Sequence, residues 1–156
     1  IDPSIHEYLN DRMGLTIQQV NDILWKQSGL LGISGVSNDC RTIEDAADRD
    51  HERSKLALEI YSYRLAKMVA SLVVPLGRLD ALVFTGGIGE NSERIRKEVI
   101  NQLGFLGLKL DETRNAETIR GASGPVTSDD SASVALVVPT NEELMIAQDA
   151  AHFIEQ

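Results

Sequence analysis

The stretch DALVFTGGIGENSERIRKEVI, residues 80–100, decides how this chain is read. A short apolar run, residues 81–84, stops at Thr85. Three glycines follow within four positions, and then a charged, helix-patterned segment begins. A continuous apolar run of this length, bounded by turn residues, reads as a strand buried on both faces of a parallel sheet. Glycines at 86, 87 and 89 let the main chain turn sharply and come close to a ligand. Asn91 and Ser92 are good N-caps, which places a helix start there and a helix over about 93–103. The free amides and positive dipole end of a helix favour an anion such as phosphate. A tight strand-to-helix connection whose glycines serve only its dihedrals explains the same residues, so the stretch alone leaves both readings open.

Two nucleotide signatures can be tested against it. A P-loop requires Lys and Ser/Thr after the last glycine, where Glu90 and Asn91 stand, so that signature is absent. A dinucleotide site requires GxGxxG and an acidic residue about 20 positions on. Gly87 and Gly89 fit, and Asp111 follows an expected short strand at about 105–110, but Ser92 replaces the third glycine.

Outward from this stretch, strands alternate with helices. Residues 1–15 contain a proline and then a short helical pattern. Thr16 and Gln19 have capping-box spacing ahead of a stripe at Ile17, Val20 and Leu24 that Gly29 ends. LLGISGVSNDCRT reads as a Gly/Ser-rich loop. Residues 50–74 hold the strongest helix, with Ala57, Tyr61, Leu65, Met68 and Leu72 as its apolar stripe and Pro75 and Gly77 as its stop. A helix is expected over about 112–120. GASGPVTSDDSAS reads as a loop with partial disorder. VALVVP gives a second buried strand and NEELMIAQDAAHFI a final helix, with Thr140 and Glu143 at capping-box spacing. The alternation implies an α/β fold with a mostly parallel sheet.

Composition sets the limits. A chain of 156 residues with 42% hydrophobic and 25% charged residues suits one globular domain, here residues 1–156. The net charge of −9 argues against nonspecific nucleic-acid binding but not against nucleotides. No apolar run reaches the roughly 18 residues of a membrane span, and no secretory signal is visible. The single Cys40 excludes an internal disulfide and fits a reducing compartment, which favours the cytoplasm. His6, His51 and His152 stand far apart, without CxxC or HExxH.

DALVFTGGIGENS, with GLLGISGVSNDCRTIEDA upstream and VVPTNEELMIAQDA downstream, resembles the acetate kinase (acetokinase) family. The likeness covers essentially the whole chain and implies part of a ribonuclease H-like domain, the fold of the acetate and sugar kinase, chaperone ATPase and actin superfamily. It points to the C-terminal part of such an enzyme, acting on ATP/ADP with Mg2+ and a short-chain carboxylate to give acetyl phosphate, and to a homodimer.

The resemblance implies that Gly87, Ile88, Gly89, Glu90 and Asn91 contact the ATP phosphates; because bare backbone at a helix start is what lets phosphate oxygens approach, Gly89→Val is expected to damage ATP use more than stability. The resemblance places Asp39, Cys40 and Arg41 next to adenosine. There Arg41 would stack on the base or bond the ribose, against a surface ion pair with Glu44 or Asp45 as the plainer alternative. Cys40 is expected to pack. Glu142 aligns with the magnesium-associated glutamate, while Glu143 is expected to be occupied by capping. No catalytic residue is carried over. The opening Ile1-Asp2-Pro3 matches the tail of the family's TRxGDxDP motif. The catalytic Asp, the phosphate-handling His and the substrate-gripping arginines are therefore expected in a preceding N-terminal part. Two rivals remain at this stage: an ATP-driven conformational module of the same superfamily, and a dinucleotide-dependent oxidoreductase. A purely structural domain would bind no nucleotide.

Overall fold

The computed structural model describes residues 2–154. Ile1, the first residue of the Ile1-Asp2-Pro3 opening, and Glu155 and Gln156 lie outside the described residues. The chain divides into two compact units between Tyr61 and Ser62, within one long helix.

The first unit is helical. α1 (Ile5–Met13) and α2 (Ile17–Asp22) flank Thr16, whose hydroxyl accepts from the Gln19 amide while Gln19 reaches back, completing the expected capping box. α2 runs into a π-helical segment, Ile23–Gln27, rather than ending at Gly29. Of the expected stripe, Val20 is buried and Ile17 exposed. The Gly/Ser-rich segment is not a plain loop: it forms α3 (Gly29–Ser34) and leads into α4 (Cys40–Asp48). Two glycines make α3 a weak helix by propensity. Its last carbonyls gain a distant partner, because Arg53 donates from Nε to the Ile33 carbonyl (2.7 Å) and from Nη2 to the Gly32 carbonyl (2.9 Å).

α5 (Glu52–Leu76) carries the boundary between the units. Its buried row is Ser54, Leu58, Ser62 and Ala66, at i, i+4 spacing, with Ala57 beside it. Met68 and Leu72, assigned to the stripe from periodicity, are both exposed. Ala57 of the expected stripe is buried and Tyr61 and Leu65 are half-buried, but the packed row also takes in Ser54, Ser62 and Ala66, small residues that apolarity does not single out. Pro75 stands inside the last turn and Gly77 follows the helix, its amide bonded to the Val73 carbonyl (2.9 Å).

The second unit is α/β. A three-stranded sheet has the order β1 (Ala81–Phe84), β3 (Val134–Val137), β2 (Gly124–Pro125). β1 and β3 are parallel, Ala81 facing Val134 and Phe84 facing Val137; β2 is antiparallel to β3, so the sheet is mixed rather than mostly parallel. β1 lies at an edge with only Phe84 buried, not buried on both faces as its apolar run suggests. β3 alternates, with Ala135 and Val137 buried.

α6 (Gly86–Asn91) and α7 (Glu93–Gln102) follow β1. Ile95, Val99, Ile100 and Leu103 bury the inner face of α7. Residues 105–110 are not a strand: a 3-10 turn, Gly104–Leu106, precedes a single antiparallel bridge between Leu110 and Thr127. α8 (Glu112–Glu117) is shorter than expected, and α9 (Glu142–Ile154) ends the described chain. Residues 121–133 are irregular for most of their length, as expected, but contribute β2 and the bridge at Thr127. Val126 and Thr127 are buried, and the Ser133 hydroxyl donates to the carbonyls of Leu79 (2.7 Å) and Leu106 (2.9 Å).

Candidate functional site

The glycines do not form a turn ahead of a helix; they are a helix. Thr85 is extended (φ −151°, ψ 171°), and α6 begins at Gly86, whose φ of +71° is open to glycine and strained for other residues. Ser92 ends this one-and-a-half-turn helix and caps the next, its hydroxyl accepting from the Ile95 amide at 3.1 Å. The expected helix start at Ser92 is therefore right for α7, and a second start lies six residues earlier.

The three glycines differ in what surrounds them. A Cβ on Gly86 or Gly87 would meet nothing within 4 Å. A Cβ on Gly89 would lie 3.2 Å from the Phe84 carbonyl carbon and 3.4 Å from its Cα. Gly89 thus has a packing reason of its own: it lets α6 fold back onto the end of β1. Gly87 has no such reason. Its amide and that of Ile88 lie in the first helical turn, where no intrahelical carbonyl reaches them.

Each end of α6 is fastened. At the start, Glu90 folds back so that Oε1 accepts from the Gly86 amide at 2.8 Å. The same oxygen accepts from the Thr140 amide (2.8 Å) and the Thr140 hydroxyl (3.0 Å), fifty residues on in sequence. The Thr140 amide, chiefly, holds the Glu90 carboxyl below the usual glutamate range; partial burial opposes this, and the Thr140 hydroxyl and Gly86 amide add to it. At the far end, Asn91 Nδ2 donates to the Gly87 carbonyl (3.0 Å), and Asn91 Oδ1 accepts from the Arg120 amide (3.1 Å).

Beneath α6 lies Arg96, fully buried and not singled out from sequence. Its Nη1 donates to the Gly89 carbonyl (2.9 Å), Nε to Asn115 Oδ1 (2.8 Å), and Nη2 to the carbonyls of Asn115 (2.7 Å) and Thr118 (2.9 Å). Burial pushes this guanidinium down from its ordinary value, against the attraction of Glu93. Its only sequence signal was its place between Ile95 and Val99 on the apolar face of α7, where a charged residue breaks the pattern.

Thr140 leads into α9, and this corrects the expected cap. The Thr140 hydroxyl is occupied by Glu90, so Asn141 caps the helix, its Oδ1 accepting from the Leu144 amide at 3.0 Å. Glu143 is therefore not drawn into a capping box with Thr140. Glu142 and Glu143 are both exposed in the first turn. Among the described residues no group of three or more His, Cys, Asp or Glu side chains is gathered as a metal cage. A magnesium ion held here would take most of its ligands from water and phosphate, as that ion commonly does.

Asp39, Cys40 and Arg41 lie in the first unit. Asp39 caps α4, accepting from the Arg41 amide at 2.9 Å. The Arg41 side chain pairs with Asp39 (Nη2 to Oδ2 2.9 Å, Nε to Oδ1 3.3 Å). Bonding to Arg41 draws the Asp39 carboxyl down. The Arg41 side chain remains 85% exposed. Cys40 is buried, as expected of a packing residue.

The dinucleotide reading fares poorly against this geometry. Its acidic residue, Asp111, is the N-cap of α8, accepting from the Arg114 amide at 3.0 Å, and no strand precedes it. The glycines lie within a helix rather than in a loop ahead of one.

The phosphate-candidate residues Gly87–Asn91 follow β1, and Thr140 to Glu142 follow β3, its parallel neighbour. Ligands of open α/β sheets bind outside the carboxyl ends of such strands. The Acetokinase family model matches residues 1–148. Acetate kinase of Chromobacterium violaceum is 60% identical over 151 residues, and acetate kinase 1 of Neisseria meningitidis serogroup A is 56% identical; in each case 97% of this chain and 38% of the relative are covered. Among solved structures, Porphyromonas gingivalis acetate kinase superposes with a TM-score of 0.88 at 39% identity, covering 99% of this chain and 38% of the other. A propionate kinase from Francisella tularensis gives 0.86 at 46%, covering 95% and 37%. The chain thus spans somewhat over a third of the length of the relatives it matches, and it belongs to the acetokinase family.

Proposed function

We propose that this segment is the nucleotide-holding, C-terminal part of a short-chain carboxylate kinase, which transfers phosphoryl reversibly between ATP and acetate to give acetyl phosphate and ADP. The observation that carries this reading is the uncrowded Gly87 in the first turn of α6, at the carboxyl end of β1, in a member of the acetokinase family. Backbone amides in a first helical turn suit phosphate oxygens, and no P-loop lysine is needed for that contact.

The residues have separate tasks in this reading. Gly87, Ile88 and Gly89 present main chain to the phosphates, with Glu90 and Asn91 completing the segment. Asp39, Cys40 and Arg41 attend the adenosine: Asp39 orients the Arg41 guanidinium, whose free face suits a base or a ribose, and Cys40 contributes through its backbone because its side chain is buried. Glu142 supplies one hard oxygen toward magnesium. A magnesium ion held there would supply positive charge to offset that of the phosphates. Phosphoryl transfer depends mostly on positioning and charge stabilisation, and positioning is what these residues supply. The groups acting on the transferred phosphoryl and on the carboxylate belong, in this reading, to an N-terminal part of the same enzyme. We further propose a homodimer and a cytoplasmic location, both from family resemblance, the latter also from the single Cys40. No described helix is long and apolar enough to cross a membrane.

The test is a hydroxamate assay for acyl phosphate on the full-length protein with ATP, magnesium and acetate, with propionate and butyrate in parallel. Hydroxamate formation with one of them supports the reading. ATP hydrolysis without hydroxamate would favour a conformational ATPase instead.

A further inference from the structure

We propose that Glu90 is a positioning residue, whose carboxylate fixes the start of the glycine helix to the backbone at Thr140 so that both meet the nucleotide in one geometry. This rests on the reading of α6 as the phosphate contact.

α6 cannot hold its own shape. Six residues, three of them glycine, fall well below the length at which an isolated helix is stable. Its far end is held from outside by Arg96, which donates to the Gly89 carbonyl, and by the Arg120 amide, which donates to Asn91 Oδ1. Its start depends on Glu90. Pairing of β1 with β3 runs as far as the Val138 amide on the Phe84 carbonyl (3.0 Å) and then ceases. Beyond that point, among the described residues, only the bonds to Glu90 Oε1 join residues 85–91 to residues 139–142. One oxygen thus takes the Gly86 amide and both donors of Thr140, two residues before Glu142. A strut of this kind sets the distance between the phosphate-facing amides and the α9 start.

A strut and a charged ligand make opposite demands on the side chain. A strut needs an acceptor oxygen at glutamate length; a ligand for magnesium needs negative charge. Glu90→Gln keeps reach and an acceptor but loses charge. Glu90→Asp keeps charge but is shorter by one carbon–carbon bond, about 1.5 Å, and cannot span both partners. Glu90→Ala loses both. The experiment measures KM for ATP and kcat for these variants of the full-length protein, beside Gly87→Ala, with thermal melts as a check on folding.

The strut predicts that Glu90→Gln stays within about threefold of the parent in ATP KM. It predicts that Glu90→Asp and Glu90→Ala both rise about tenfold or more, a factor equivalent to about 1.4 kcal/mol. Rescue by the uncharged Gln is the outcome that a general loss of stability would not produce. If Glu90→Ala does not fold, the order of Gln against Asp still decides. Asp outperforming Gln, or all three matching the parent, would overturn the proposal. If Gly87→Ala weakens ATP use while Glu90→Asp does not, the strut alone fails. If neither affects ATP, the phosphate reading fails and the strut with it.

Discussion

Replacing Gly87 by alanine separates the two readings of the glycine segment, because the structure gives this position no packing reason to be glycine. The added methyl would meet nothing within 4 Å, and Gly87 is not among the glycines with positive φ. In a helix, alanine is favoured over glycine by about 0.5–1 kcal/mol, so the variant should melt at or above the parent temperature. Ligand contact is another matter. A Cβ in a helix leans toward the helix N-terminus, here into the space that a phosphate oxygen would enter to reach the Gly87 and Ile88 amides. Displacing the phosphate forfeits a hydrogen bond to a charged group, about 1.5–3 kcal/mol, or roughly 10–150-fold in Kd for ATP. Calorimetric ATP titration and thermal melts on the full-length protein read both effects. Unchanged ATP affinity with an unchanged or raised melting temperature would refute the reasoning, leaving the glycines a role in the turn alone. Gly89→Val is the poorer probe, since a Cβ there presses on Phe84 and should cost stability as well.

Glu142→Gln should raise the magnesium concentration needed for half-maximal activity, while Glu143→Gln should not; equal shifts would sink the assignment of Glu142. Arg96→Met leaves the carbonyls of Gly89, Asn115 and Thr118 without their donor. Orphaned buried acceptors cost about 1–3 kcal/mol each, so denaturant titration should report a loss of about 3 kcal/mol or more, and a loss under 1 kcal/mol would contradict the buried network. The lowered Glu90 carboxyl carries a sign. Its hydrogen bonds contribute fully above the ordinary glutamate value, about 4.3, and are lost as pH falls through the lower folded value. The difference in melting temperature between parent and Glu90→Gln should therefore be constant from about pH 7 to 5 and change only in more acid solution. A difference that changes already near neutrality would contradict it.

What could be read from the sequence was local. The apolar run 81–84, the cap at Ser92 and the periodic residues 93–102 carry their own signals, and the structure has β1 and α7 there. What could not be read depended on residues far away in the chain. α3 looked like a loop because glycine and serine are poor helix formers, and nothing in its own sequence announces that Arg53 will satisfy its last carbonyls. The 121–133 segment has loop composition, yet Ser133 and Thr127 spend their hydroxyls on tertiary contacts. Thr140 carried a capping-box spacing that Glu90, fifty residues earlier, preempts. The same long-range character hid the positioning residues of the candidate site. Its glycines stood out by composition, whereas Arg96 and the role of Glu90 exist only once the chain is folded.

The most direct test of the account follows the amides themselves. Full-length protein labelled with 15N-glycine, titrated with ADP and magnesium and followed by TROSY, should show the Gly87 resonance shifting with saturation. The resonances of Gly14 and Gly104, outside the proposed contact, should stay in place. An unmoved Gly87 signal at saturating nucleotide would contradict the claim that this helix holds the phosphates.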